Sequence, residues 1–152
     1  MGRPLLHDVI ISAPLAAVAA GTSDQNGTGI DMQAGEGADG VLFIASIGAL
    51  TSGQVTSLKA QSSSDDASAD AYADIAGSDS GNMADGDSNN LIVLDVFQPP
   101  ERYIRPVLLR GTQNAVINGI IAIKYKVKSL PTTQGADVFG SESLIQPAEG
   151  TA

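Results

Sequence analysis

The sequence predicts an all-β protein built as an antiparallel β-sandwich, and three observations carry the prediction. The first is Ala115 to Lys128, AVINGIIAIKYKVK, where Ile121, Ile123, Tyr125 and Val127 alternate with Ala122, Lys124, Lys126 and Lys128. Residues two apart share a face of a strand, so this pattern predicts a dry face of apolar side chains and a wet face of ammonium groups. A strand solvated on one side belongs to an antiparallel sheet rather than to a parallel one covered on both faces. The second is composition: aromatics are 4% and tryptophan is absent, which leaves Ile, Leu and Val to build the core. The third is punctuation, since the apolar runs are short and are bounded by Gly, Pro, Asn and Asp, as expected of many strands joined by polar turns.

At 152 residues the chain suits one core with tails. The expected division is an N-terminal arm over 1–22, a sandwich over 23–130 and a C-terminal arm over 131–152. Met1 to Ala20 superficially copies a secretory signal, but His7 and Asp8 interrupt its apolar region and Pro14 breaks it, so a retained segment is expected. No stretch reaches the roughly 20 apolar residues that span a bilayer, and no membrane association is expected.

Gly21 to Gly40 is rich in turns, with one short strand expected around Gly29 to Gln33. Gly35, Gly37 and Gly40 spell GxGxxG, yet a dinucleotide site needs a strand before that motif and a helix after it. The next residues are VLFIASIG, a strand pattern, so these read as turn glycines. Val41 to Ile47 is continuously apolar and should be a buried, central strand. Gln54 to Gln61 and Asp70 to Ala76 flank SSSDDASA and read as a hairpin, with an alanine-rich helix stopped by Gly77 as the competing assignment.

In GSDSGNMADGDSNN, Asp85, Asp87 and Asn89 match the first, third and fifth positions of a calcium loop. The sixth position is Asn90 where glycine is needed and the twelfth is Val96 where a bidentate Glu belongs, so an ordinary Asx-Gly loop is expected. Leu91 to Phe97, Arg102 to Leu109 and Ala115 to Lys128 then read as a three-strand meander. Pro106 cannot donate to a ladder, which makes the middle strand an edge or a bulged strand. Beyond Leu130 no period is sustained, and the chain reads as an extended arm, either free or docked on a neighbour through Val138, Phe139, Leu144 and Ile145.

Charge and residue types exclude several functions. Seventeen acids face eight Lys and Arg, for a net charge of −9, and nucleic-acid binding needs the opposite footprint. Six of the eight basic residues lie between Arg102 and Lys128, whereas Asp65 to Glu101 holds nine acids and no Lys or Arg. This reads as a solvated acidic loop face or a polar docking surface. The lysine row of the last strand reads as a contact stripe or as a guard against edge pairing. Without cysteine there are no disulfides, thiol nucleophiles or Cys-based zinc sites. The single histidine, His7, sits near a terminus, and the paired acids lie in polar loops where nothing raises one carboxyl pKa. Neither catalysis nor a cofactor is expected.

In several stretches the chain resembles the small cement or decoration proteins of tailed bacteriophage heads. These are TSDQNGTGIDMQ before VLFIASIG, LKAQSSSDDASADAYADIAG, DGDSNNLIVLDVFQPPERYIRPVLLRGTQNAVINGIIAIKY, and the closing PAEGTA. The resemblance covers most of the chain, although Ala67 follows Asp66 where such proteins often carry a DDG turn. It implies a jelly-roll β-sandwich on the capsid exterior of the virion, assembled as a homodimer or homotrimer and bridging major capsid protein subunits. On that implication the candidate contacts are Arg3, Leu5, Leu6 and His7 in the N-terminal arm and Phe139, Leu144 and Ile145 in the C-terminal arm, with charge pairing from Lys124, Lys126 and Lys128. The alternatives are a displayed carbohydrate- or host-surface-binding sandwich, for which three Tyr, three Phe and no Trp offer few platforms, and a tail or baseplate component.

Overall fold

A computed structural model describes residues 3–144 and 148–150. Among the described residues the chain is all-β apart from one 3-10 turn at Leu5–His7. Ten strands follow among the described residues: β1 (Ile10–Leu15), β2 (Val18–Gly21), β3 (Gln25–Asn26), β4 (Ile30–Asp31), β5 (Ala38–Leu50), β6 (Val55–Ser63), β7 (Ala73–Asp74), β8 (Leu91–Phe97), β9 (Tyr103–Gly111) and β10 (Ala115–Val127). They form two antiparallel sheets, with sheet A ordered β1-β10-β5-β8, β2 also pairing β10, and sheet B ordered β3-β9-β6-β7, β4 also pairing β9. Val41, Phe43, Ala45, Ile47, Ile92, Val96, Ile117 and Ile120 from sheet A meet Leu58, Ala60, Ile104 and Leu108 from sheet B in one core. This is the arrangement of a β-sandwich.

The apolar run Val41 to Ile47 lies in β5, paired on both sides by β10 and β8, and is central as its composition requires. The hairpin is present, with Gln61 opposite Asp74 and Ser62 opposite Ala73, although its second strand is only two residues long.

Several expectations are corrected. The three last strands are not a meander, because β8 and β10 belong to sheet A and β9 to sheet B. Local alternation specifies strands but not which sheet each one joins. Nor is β9 an edge or bulged at Pro106: its register with β6 runs unbroken from Val55 to Ser63, with Ala60 opposite Pro106. The neighbouring strand gives way instead. Between β3 and β4, Gly27 N–H donates to Pro106 O at 2.8 Å, and a Cβ on Gly27 would lie 2.7 Å from Pro106 Cγ. Thus the missing proline N–H faces an interruption where no ladder donor is needed.

Residues 10–21, expected within an arm, form β1 and β2 and pair with β10. The C-terminal segment holds no strand among its described residues and runs beside β1. There Gln134 Oε1 accepts from Ile11 N–H at 2.9 Å and an Asp137 carboxylate oxygen accepts from Ala13 N–H at 3.0 Å. Thr132 N–H donates to His7 O at 3.0 Å, and the hydroxyl of Thr132 and the amide of Gln134 both donate to Leu6 O and Val9 O. The two terminal segments therefore hold each other.

The largest correction concerns β10. Ala122 and Lys124 face inward and are buried, while Ile121 is 47% exposed, so from Ile121 to Tyr125 the dry and wet faces are the reverse of those expected, whereas Lys126 and Lys128 are exposed as expected. The pairing slips between Ile117 and Gly119, which brings Ile117 and Ile120 to the same side and sets the phase as far as Tyr125. Lys124 tolerates burial because its Nζ donates to Asp31 O at 3.0 Å and Ala34 O at 3.2 Å. Desolvation pushes its pKa down, partly opposed by the charges of Asp31 and Glu36. At Lys126 the backbone takes φ 51, and Val127 again packs against the core.

Candidate docking face

With β10 reversed, sheet A carries an apolar outer surface. Cross-strand partners share a face, so the pairings generate its rows directly. Ile11, Ile123, Leu42 and Asp95 form one row, Ile121, Ile44 and Val93 a second, Tyr125, Gly40 and Phe97 a third, and Ser46 and Leu91 close the end. Leu91 is 60% exposed, Val93 55% and Phe97 47%. With Ile121 and the half-buried Leu42, Ile44 and Ile123, this gives a patch on the order of 400 Å², the size of the largest apolar patch on a typical monomer, which is often functional.

The third row is held by a close approach. The Tyr125 ring lies across Gly40, where a Cβ would run into it. It stacks beside Phe97 with ring centroids 6.3 Å apart and planes 13° from parallel. Its hydroxyl donates to Asp95 Oδ1 at 2.6 Å; burial, followed by that carboxylate, pushes the phenol pKa up to about 12. Lys126 Nζ lies 4.6 Å from the centre of the Phe97 ring, a cation–π position. The face is thus apolar in the middle, with one carboxylate already bonded and one ammonium lying over an aromatic ring.

The expected contact residues are dispersed. Lys126 belongs to this face, whereas Lys124 is buried and offers no ammonium for pairing with a partner. Since β10 lies between β1 and β5, its lysines guard no edge. Lys128 is exposed near Gly37. Arg3 pairs loosely with Asp8 at 3.7 Å. Leu5 is 72% exposed, while Leu6 and His7 are half-buried against the C-terminal segment. Phe139 and Leu144 are exposed, and Ile145 lies outside the described residues. Removing residues 1–20 would take β1 and most of β2 out of sheet A, so that truncation does not isolate an arm.

The loop acids close turns. Asp85 accepts from Ser52 Oγ at 2.8 Å and Gly53 N–H at 3.0 Å, Asp87 accepts from Ala84 N–H at 2.8 Å, and Asp65 accepts from Ser68, Ala69 and Asp70. Among the described residues, no group of three His, Asp or Glu side chains is arranged to hold a metal ion, and no helix is long and apolar enough to cross a membrane.

Sequence reasoning missed Leu91, Val93, Phe97 and Ile121. A signal existed: in LIVLDVF the outward set Leu91, Val93, Asp95 and Phe97 is apolar at three of its four positions, beside the wholly apolar inward set Ile92, Leu94 and Val96. A solvated face of an antiparallel strand is ordinarily polar, so a largely apolar outward set marks a candidate docking face. No protein-family model, no curated protein and no solved structure matches the chain.

Proposed function

We propose that this chain is a non-enzymatic cement or decoration protein that lies on the outside of a phage capsid, bridges major capsid protein subunits and stabilises the shell. The observation that carries the reading is the apolar outer face of sheet A, which we assign as the shell-facing surface. The long strands switch sheets in turn, β5 in A, β6 in B, β8 in A, β9 in B and β10 in A, and this supports a jelly-roll-like reading of the sandwich. A clamp of this kind works by linkage: it binds the assembled lattice and not free subunits, so every copy bound favours assembly. Contacts made to several subunits at once act as intramolecular ones, and modest individual affinities combine.

Purified shells mixed with the protein provide the test. Ile121→Glu alters an exposed side chain, so the fold is retained, but docking would bury a carboxylate against apolar surface at a cost of about 2 kcal/mol, or roughly thirtyfold in affinity. Wild-type protein should remain bound at high salt, since apolar anchoring is not screened. Unchanged occupancy by the variant, or release of the wild type by salt, would overturn the assignment.

One observation favours a second reading. The near-parallel Phe97 and Tyr125 rings, flanked by Asp95 and Lys126, form an aromatic platform with polar neighbours, as sugar-binding surfaces require. Binding to a glycan array that is lost in Phe97→Ala would favour a displayed carbohydrate-binding module.

A further inference from the structure

Sheet edges present unpaired N–H and C=O groups, and proteins usually cover or shorten them. Here β1 is dressed by Gln134 and Asp137. Sheet B ends on β3, β4 and β7, each two residues long, and the open stretch of β6 bonds to Ser78, Ser80 and Met83. The seven-residue β8 is different. At its ends Ile47 N–H donates to Asn90 O at 3.0 Å and Gln98 N–H donates to Asp39 O at 2.8 Å. Main-chain bonds alternate in direction along an antiparallel strand, so Ile92, Leu94 and Val96 bond to β5. The N–H and C=O groups of Leu91, Val93, Asp95 and Phe97 therefore point away from the sheet, and no partner meets them among the described residues. No Lys or Pro interrupts the strand.

We propose that β8 pairs antiparallel with β8 of a second copy of this chain across a two-fold axis at Leu94, joining two copies of sheet A into one continuous sheet. Such an edge is self-complementary, as a two-fold interface requires. At this register Leu91 faces the second copy's Phe97 and Val93 faces its Asp95, so all four free residues of each strand are used. Four bonded pairs exchanging two bonds each give roughly eight N–H···O bonds. Overlap selects this register, since an axis at Val93 or at Asp95 would use only three of the four free residues, and charge adds to the choice. Asp95 is the only charged residue of the strand; here it meets Val93, whereas an axis at Asp95 would oppose two carboxylates.

The area is consistent with a real but modest dimer. Seven residues at about 3.4 Å each make a strip about 24 Å long, and with side chains on both faces about 20 Å deep, or roughly 500 Å² per copy. This is at the low end for specific interfaces. The joined sheet would present two apolar outer faces side by side.

Sedimentation velocity on the full chain from about 1 to about 100 µM, the range expected of a small interface, should show conversion to twice the 15.4 kDa chain mass. Amides of Leu91, Val93, Asp95 and Phe97 should exchange slowly in the dimer and quickly on dilution. Val93→Pro removes an N–H that β5 does not use, and Val93→Lys adds an edge charge without touching the backbone; both should leave the thermal unfolding of the monomer nearly unchanged and abolish the dimer. Ile121→Glu, two strands away from the edge, should leave the dimer intact. A monomer at every concentration, a trimer, or a dimer broken by Ile121→Glu but not by Val93→Lys would overturn the proposal. Because these measurements use free protein, a monomer that still coats shells would refute the edge pairing and leave the docking face standing.

Discussion

Replacing Arg110 by Met should destabilise the protein by about 3 kcal/mol. Arg110 lies on β9 of sheet B and is 6% exposed, yet its guanidinium reaches strands of sheet A. Nη1 donates to Ala19 O of β2 at 2.9 Å and to Ala115 O of β10 at 2.8 Å, and Nε donates to Ser23 O at 2.8 Å. Its own N–H is held by Asp24 Oδ1 at 2.9 Å. Met keeps the length and apolar character of the stem but no donor. The bond to Ala115 O is buried, and losing it costs about 2 kcal/mol, whereas Ala19 O and Ser23 O belong to exposed residues that water can reach, at about 0.5 kcal/mol each. In a chain of this size about 3 kcal/mol lowers the melting temperature by roughly 6–12 °C. Urea unfolding followed by circular dichroism measures the change directly. A loss below about 1 kcal/mol would refute the reasoning, since it would mean that the three carbonyls do not depend on the guanidinium.

Acid should reveal Asp31. Its two carboxylate oxygens accept from Arg102 at 2.9 and 2.6 Å, and this pairing, aided by the N–H groups of Gln33 and Ala34, holds its pKa down at about 2. A depressed carboxyl pKa adds stability that is present above the unfolded value near 4 and lost as pH falls through about 2. With Arg102 partly exposed, solvent screening limits the contribution to about 1 kcal/mol. Asp31→Asn should therefore be less stable than wild type at pH 6 and nearly equal to it at pH 2; a gap that persists at pH 2 would contradict the assignment. A separate variant concerns Ala67, which sits at φ 65 in the turn closed by Ser63 Oγ at 2.9 Å. Ala67→Gly should relieve about 1 kcal/mol of backbone strain and raise the melting temperature by a few degrees, and a lowered melting temperature would argue against strain there.

What the sequence revealed depended on range. Val41 to Ile47 was legible as a central strand because a continuous apolar run has no face to show to water. The short strands and polar turns specified an all-β chain for the same local reasons. The two faces of β10 were visible as alternating sets, but their orientation was not. Ala122 is small enough to lie against either environment, and Lys124 could enter the interior only because Asp31 O and Ala34 O, more than eighty residues earlier in the chain, are positioned to receive its protons. The slip before Gly119 shifts the phase, and nothing in the pattern IIAIKYK announces it. The same distance dependence hid the role of Gly40, which read as a turn glycine and instead makes room for Tyr125. The break beside Pro106 was hidden in the same way, since the strand that yields is about eighty residues away in sequence. Terminal position suggests arms, but β1 and β2 are held by β10, which only tertiary pairing reveals.

The central claim is that the outer face of sheet A meets the shell, and a cryo-EM map of particles coated with the wild-type protein tests it most directly. In that map β5, β8 and β10 should lie against the capsid, with Val93, Phe97 and Ile121 at the contact. A map in which sheet B faces the shell while Leu91, Val93 and Ile121 face solvent would contradict it.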